Sequence, residues 1–256
     1  MPVWNGYKFI DRAINSILNQ WFHFDPPEIE IVLINDCSTD HKTKGKLISW
    51  EIRLKNGKEL SHITAILITH LRNMGVACAR NSGIAKSHGE YICYLDADDV
   101  YYNNRIEDSY RFLNQFSMTD AVIIPYDAKV KNESSGEYDM QLRLQDNGEI
   151  GVMHTRRLTD KLIHQFGSVF PDNLVTKEFW VFYQRLILLG QIQRLPKTAG
   201  LCTLEPFGQD KTQRLPDSGL GIEWNEFINQ EENKWLIKKV LKKNSNESRQ
   251  NTNSNK

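Results

Sequence analysis

The 256 residues, 40% hydrophobic and 25% charged, have the make-up of an ordinary globular protein with enough chain to bury a substantial core. Lysine plus arginine total 32, as do aspartate plus glutamate, so the zero net charge gives no electrostatic reason to expect nucleic acid as a partner. Four scattered cysteines without a C-x-x-C pair argue against a zinc site or disulfide scaffold, and no apolar run approaches the roughly 20 residues of a membrane span.

In chain order, Met1 to Gly6 has no signal-peptide pattern, which makes a cytoplasmic location the default expectation. Ile10, Ala13, Ile14, Ile17 and Leu18 then form the stripe of a helix packed on one side. After Pro26-Pro27, the almost unbroken run Ile29 to Ile34 predicts a strand buried on both faces, ending in the polar turn Asn35 to Asp40. Ile63 to Ile68 predicts a second strand, Val76 to Ser87 a helix stopped at Gly89, and Glu90 to Leu95 a third strand. The acidic cluster Asp96 to Asp99, a helix from about Asn104 to Gln115 and a strand over Ala121 to Pro125 follow. Beyond Asp127 the pattern blurs. Lys131 to Gly136 and Gln145 to Gly151 read as loops, Glu178 to Leu189 as a helix and Ile192 to Leu195 as a short strand.

Strands alternating with helices imply an α/β fold with a mainly parallel sheet, whose ligands sit beyond the carboxyl ends of the strands. Asp36 and the Asp96 to Asp99 cluster both lie at such ends. A strand–helix–strand unit also needs a strand before the first helix, yet only a few residues precede Ile10. Either the sheet lacks that strand or the chain as given starts partway through it.

Asp96 and Asp98 are two apart, so in extended geometry both side chains point to one face. Carboxylates so placed suit Mg²⁺ or Mn²⁺, and a metal bridging a diphosphate would stabilise the charge on a departing nucleoside diphosphate. The plainer alternative is a solvated acidic turn capping the helix near Asn104. Asp36 by itself reads as turn or N-cap chemistry. Arg80, among small residues, has the planar fork for a diphosphate but equally suits a surface arginine. The seven histidines show no ligand spacing.

Taken in order, Pro2 to Gly6, Ser16 to Gln20, Asn35 to Asp40, Asn73 to Asn81 and Gly89 to Asp99 resemble the family 2 glycosyltransferases, over residues 1 to about 115. The resemblance implies a GT-A fold, a nucleotide-sugar donor (most often a UDP-sugar), a divalent metal and inversion at the anomeric carbon. By the same resemblance Pro2, Val3 and Asp36 would line the nucleoside pocket. Asp96 would sit near the ribose or donor sugar and share the metal with Asp98, and Arg80 would support the donor site. The family's first strand, normally ahead of the match to Pro2-Val3, is missing here. Its loss is expected to leave unpaired strand edges, a gap in the core and a poorly stable protein.

An inverting transfer also needs a carboxylate base near the acceptor hydroxyl. The family's usual Glu-Asp pair, aligned through Arg185 and Gly190, puts Phe179 where the aspartate belongs, whereas a one-residue shift puts Glu178 there. Glu178 is therefore read either as the base or as a helix-start glutamate interacting with the macrodipole.

The expected organisation is a GT-A domain over 1–215, a helical extension over 216–243 and a disordered tail over 244–256. Lys234 to Lys243 is basic and amphipathic. It reads either as a terminal helix docked on its own domain or as a peripheral contact with an anionic membrane surface, near lipid-linked or glycan acceptors. The rival functions are a non-catalytic, truncated sugar-nucleotide-binding remnant and a nucleotidyltransferase. The second is disfavoured because Trp4-Asn5-Gly6 is not a glycine-rich phosphate loop.

Overall fold

The computed structural model describes residues 1–57, 61–131, 138–145, 149–172, 174, 178–195 and 200–204. The expected extension over 216–243, with its basic stripe at 234–243, and the tail over 244–256 lie outside the described residues.

The α/β expectation holds. Strands β1 (Pro2–Val3), β2 (Ile29–Asn35) and β3 (Ile63–Thr69) form one all-parallel sheet in the order β1-β2-β3, with Pro2 opposite Ile34 and Ile29 opposite Ile63. Helices α1 (Ile10–Leu18) and α2 (His41–Asn56) share a core with the odd-numbered residues of β2. Ile10, Ala13, Ile14 and Ile17 of α1 and Leu47, Trp50 and Leu54 of α2 meet Ile31 and Leu33 there. The even-numbered residues of β2 face α3 (Val76–Lys86). Gly83 lets that helix come close, since a Cβ there would stand 2.8 Å from Ile34 Cδ1. Helix α2 went unread in the sequence; Asp40 starts it, its carboxylate accepting from Thr43 N at 2.7 Å.

The remaining strands make two mixed sheets. β4 (Tyr91–Cys93), β6 (Ala121–Ile123), β9 (Val152–Thr155) and β10 (Ile192–Arg194) run in the order β10-β6-β9-β4, antiparallel at both contacts of β9. β5 (Val100–Tyr101), β7 (Tyr126–Lys131), β8 (Tyr138–Gln145) and β11 (Gly200–Leu204) run in the order β5-β11-β7-β8. Parallel pairing thus dominates the amino-terminal part, and the later sheets alternate. Lys131 and Gln145, expected in loops, close strands β7 and β8, because each finds a ladder partner across the hairpin.

Helices α4 (Arg105–Gln115), α5 (Arg156–Phe166) and α6 (Glu178–Leu189) complete the described elements. Leu158, Leu162, Phe182 and Leu186 of the last two pack with Phe170 and Val152 into a second core. Within it His154 is fully buried against the Tyr94 hydroxyl at 2.6 Å, and burial pushes its pKa down to about 4.

β1 covers only Ile34 and Asn35 of β2, and β4 ends its sheet without a neighbour beyond it among the described residues. Between them lies a cavity of about 540 Å³. No described helix is long and apolar enough to cross a membrane.

Candidate functional site

The loops after β1 and β2 are tied together by their own polar side chains. Asn5 Oδ1 accepts from Thr39 N at 2.8 Å and Asp40 N at 3.2 Å, and Asn5 N donates to Ser38 Oγ at 3.0 Å. Ser38 N in turn donates to Asn35 Oδ1 at 2.9 Å. Asn5 and Cys37 take positive φ of 51° and 58°, a region that costs a non-glycine residue energy unless its surroundings fix it. Gly6 keeps this layer thin, since a Cβ there would touch Val3 Cγ1 at 3.1 Å and Ala97 Cβ at 3.4 Å.

Asp36, at the end of β2, has three partners. Oδ1 accepts from Met74 N at 2.8 Å and pairs with His70 Nδ1 at 2.7 Å, while Oδ2 accepts from Gly75 N at 2.8 Å. His70 passes the contact on, its Nε2 lying 2.9 Å from Ser82 Oγ on α3. Asp36 is therefore an organiser of the turn that starts α3, with 4% of its surface exposed. A carboxylate has about four acceptor positions, so one is left for a ligand N–H. Val3 is buried beside it, with Val3 O accepting from Asp36 N at 2.9 Å, and Pro2 is the partly exposed neighbour.

Arg80 is not the surface arginine its sequence context also allowed. It is 3% exposed and forms a double contact with Asp96, Nη2 lying 2.9 Å from each carboxylate oxygen. Its Nη1 donates to Glu178 Oε1 at 3.0 Å, and the guanidinium stacks 5.3 Å from the Phe170 ring. One buried cation thus gathers two candidate carboxylates from distant parts of the chain. Taking a lone guanidinium out of water would cost several kcal/mol, which the paired carboxylates offset. Phe179 does not share this contact; its ring packs on Phe182 at 5.6 Å and Tyr183 at 6.3 Å. Glu178 opens α6 as a first-turn acid, in keeping with its reading as a helix-start glutamate, and its contact with Arg80 had no sign in the sequence.

The acidic cluster is a turn and not an extended strand end. β4 stops at Cys93, and Asp99 N donates to Asp96 O at 3.2 Å, which curls Asp96 to Asp99 back on itself. The expected shared face of Asp96 and Asp98, argued from extended geometry, is corrected accordingly. Nor does the cluster cap a helix, since β5 intervenes before α4 begins at Arg105. Arg12 Nη2 from α1 donates to Asp98 O at 2.5 Å and holds the turn.

Among the described residues no three His, Cys, Asp or Glu side chains converge as a ready metal cage. The donor chemistry still fits Mg²⁺ or Mn²⁺, which take one or two protein carboxylates when phosphates and water supply the rest. Asp98 and Asp96 are the residues that would hold it, Asp96 being already paired with Arg80. Burial first and Asp172 second push the thiol of Cys78, also on α3, up to about 11.

His70, Asn5 and Asn81 were missed as site residues. Asn81 donates to Phe170 O at 2.8 Å and accepts from Phe170 N at 3.0 Å, which fixes the segment under Arg80. His70 follows β3 directly, so the strand-end argument used for Asp36 applied to it as well.

The profile of the family described as "Glycosyl transferase family 2" matches residues 1–169. A Rickettsia bellii protein named "Uncharacterized glycosyltransferase" is 29% identical over 204 residues, covering 76% of this chain and 27% of its own length. The chain thus spans about a quarter of that curated relative. Among solved structures, S. aureus TarS in complex with UDP-GlcNAc gives a TM-score of 0.63 at 20% identity, over 84% of this chain and 60% of that one. The mannosyltransferase PcManGT from Pyrobaculum calidifontis, in complex with GDP-Man and Mn²⁺, gives 0.54 at 16% identity, over 86% and 56%. Both are likenesses of fold, and the fold is GT-A.

Proposed function

The chain belongs to glycosyl transferase family 2, and from that premise we propose that it moves a sugar from a nucleotide donor, a UDP-sugar, to a hydroxyl acceptor on a glycan or lipid-linked carrier. The observation that carries the reading is the buried Arg80, which holds Asp96 and Glu178 on one guanidinium. Such a cluster puts a donor-side carboxylate and a candidate base a fixed distance apart, which is what positioning for transfer requires.

In this reading Pro2, Val3 and the remaining acceptor position of Asp36 meet the nucleoside. Asp98, with Asp96, would hold Mg²⁺ or Mn²⁺, which would supply positive charge to stabilise the departing diphosphate. GT-A proteins holding UDP-GlcNAc, or GDP-Man with Mn²⁺, support this assignment. Glu178 takes the proton of the acceptor hydroxyl while that oxygen forms its bond to the anomeric carbon, opposite the breaking bond to phosphate oxygen. The result is inversion. Arg80 acts as a positioning residue for both carboxylates.

A second reading, binding of the sugar nucleotide without turnover, is favoured by one contact. The Glu178 side chain is 13% exposed and already engaged by Arg80, so little of it faces an acceptor. Calorimetric titration of UDP with and without Mn²⁺ tests the donor site, with Asp98→Asn as the control. Metal-dependent binding abolished by Asp98→Asn is the expected result, and no binding by well-folded protein would overturn it. With a turning-over donor and acceptor, Glu178→Gln should stop transfer and leave UDP binding intact; full transfer by that variant removes Glu178 as base.

A further inference from the structure

Asp36 follows the carboxyl end of β2, and the use of its two oxygens depends on a residue from the next strand. His70 follows β3 directly, and its backbone N donates to Asn35 O at 3.0 Å, one rung beyond the β2–β3 ladder. That rung fixes the backbone from which the ring reaches Asp36, with Nδ1 2.7 Å from Oδ1. A carboxylate that already accepts from the Met74 and Gly75 amides has no hydrogen to give, so His70 Nδ1 carries it. At the other edge of the ring, Nε2 lies 2.9 Å from Ser82 Oγ, which holds the ring from helix α3. The side chains of His70 and Asp36 are 13% and 6% exposed, so water competes little for either contact.

The consequence is an asymmetric carboxylate. Each of its oxygens has about two acceptor positions. Met74 N and His70 Nδ1 take those on Oδ1, and Gly75 N takes one on Oδ2. The position left is on Oδ2. Without His70 a second would open on Oδ1, and a nucleobase could use either oxygen.

We infer that His70 is a positioning residue for donor specificity. By occupying Oδ1 it leaves Asp36 a single acceptor, which takes a pyrimidine with a ring N–H, as in uracil, and turns away one with a ring-nitrogen lone pair, as in cytosine. The inference rests on the reading that Asp36 meets the nucleoside. Uracil N3–H donates into the open position, whereas cytosine N3 sets its lone pair against a carboxylate oxygen. A site built around a hydrogen bond discriminates against a partner that cannot make it, because the buried group is then left unpaired. Cytosine can bring its amino N–H to a carboxylate only in a shifted pose, and a second acceptor on Oδ1 would give that pose a partner. His70 removes it.

The test is calorimetric titration of the full 256-residue chain with UDP and with CDP, Mn²⁺ present in both. The unaltered chain should bind UDP at least about tenfold more tightly than CDP, and in His70→Ala that ratio should fall to about threefold or less. His70→Asn, whose amide keeps a donor near the place of Nδ1, should restore the ratio of the unaltered chain. A merely structural role would weaken both nucleotides alike, so an unchanged ratio in His70→Ala overturns the inference. Equal binding of UDP and CDP by the unaltered chain overturns it as well. Should His70→Ala not fold, ring ¹⁵N shifts of His70 in the unaltered chain decide: hydrogen on Nδ1 supports the inference, and hydrogen on Nε2 alone refutes it. Failure of the underlying reading shows separately. If the unaltered chain does not bind UDP, or Asp36→Asn binds it equally tightly, the nucleoside reading falls and the role of His70 with it. If Asp36→Asn loses UDP while His70→Ala keeps the ratio, the role of His70 alone falls.

Discussion

The two ends of strand β2 are built in opposite ways. At the carboxyl end, Asn35, Asp36, Ser38 and Asn5 are linked by hydrogen bonds, and Arg80 with its two carboxylates completes the layer. At the amino end, the strand edge next to Glu30 and Val32 faces a cavity where the sheet is interrupted. The carboxyl end thus gains its order from side-chain hydrogen bonds among its own loops. The two ends are ordered by different interactions, and mutations at them should behave differently.

The sharpest break of that contrast is Arg80→Met. It leaves Asp96 and Glu178 without their shared partner in a buried setting, so urea denaturation should show a loss of about 3–5 kcal/mol. UDP binding should fall with it. Unchanged stability would mean the carboxyl end does not depend on this cation. Asp36→Asn comes next, because the introduced NH₂ must face one of the donors that Asp36 now accepts from. A loss of about 1–3 kcal/mol is expected, with faster hydrogen exchange at Met74 and Gly75. Protection unchanged at both amides would remove Asp36 as the organiser of that turn. The smallest effect belongs to the other end. Glu30→Gln disturbs a contact with His88, whose side chain is 80% exposed, and should cost under about 1 kcal/mol. A loss beyond 2 kcal/mol, roughly twice that ceiling, would show the amino end to be as tightly organised as the carboxyl end and would erase the contrast.

Much of the frame was legible because buried faces leave a periodic trace. Helices α1 and α6 begin and end where the apolar stripes do, and β2 and β3 follow their β-branched runs to within a residue. Helix α2 was hidden because its buried set, Thr43, Leu47, Trp50 and Leu54, is diluted by Ile48 and Ile52, which are 50% and 54% exposed. Strand β7 reads Tyr-Asp-Ala-Lys-Val-Lys, too charged to stand out against a loop. The site was legible only residue by residue. Asp36, Arg80, Asp96 and Glu178 could each be picked out by position and chemistry, but local sequence carries no sign of depth. Nothing around Arg80 announced that its guanidinium is enclosed, or that a glutamate on α6 reaches it. The acidic turn was misjudged for a related reason: spacing of two implies a common face only where the chain stays extended, and here it curls at Asp96.

The Arg80–Glu178 contact also sets an order of events during folding. Its partners are 98 residues apart, whereas Arg80 and Asp96 are separated by 16. Closing the longer loop carries the larger entropic cost, and contacts of such separation form late. Arg80 and Asp96 meet once α3 and the turn after β4 are in place, but Glu178 arrives only when α6 docks on Phe170 and its neighbours. A chain still emerging from synthesis would therefore hold the Arg80–Asp96 half of this cluster before its Glu178 half, and the complete three-residue cluster would be among the last features the fold acquires.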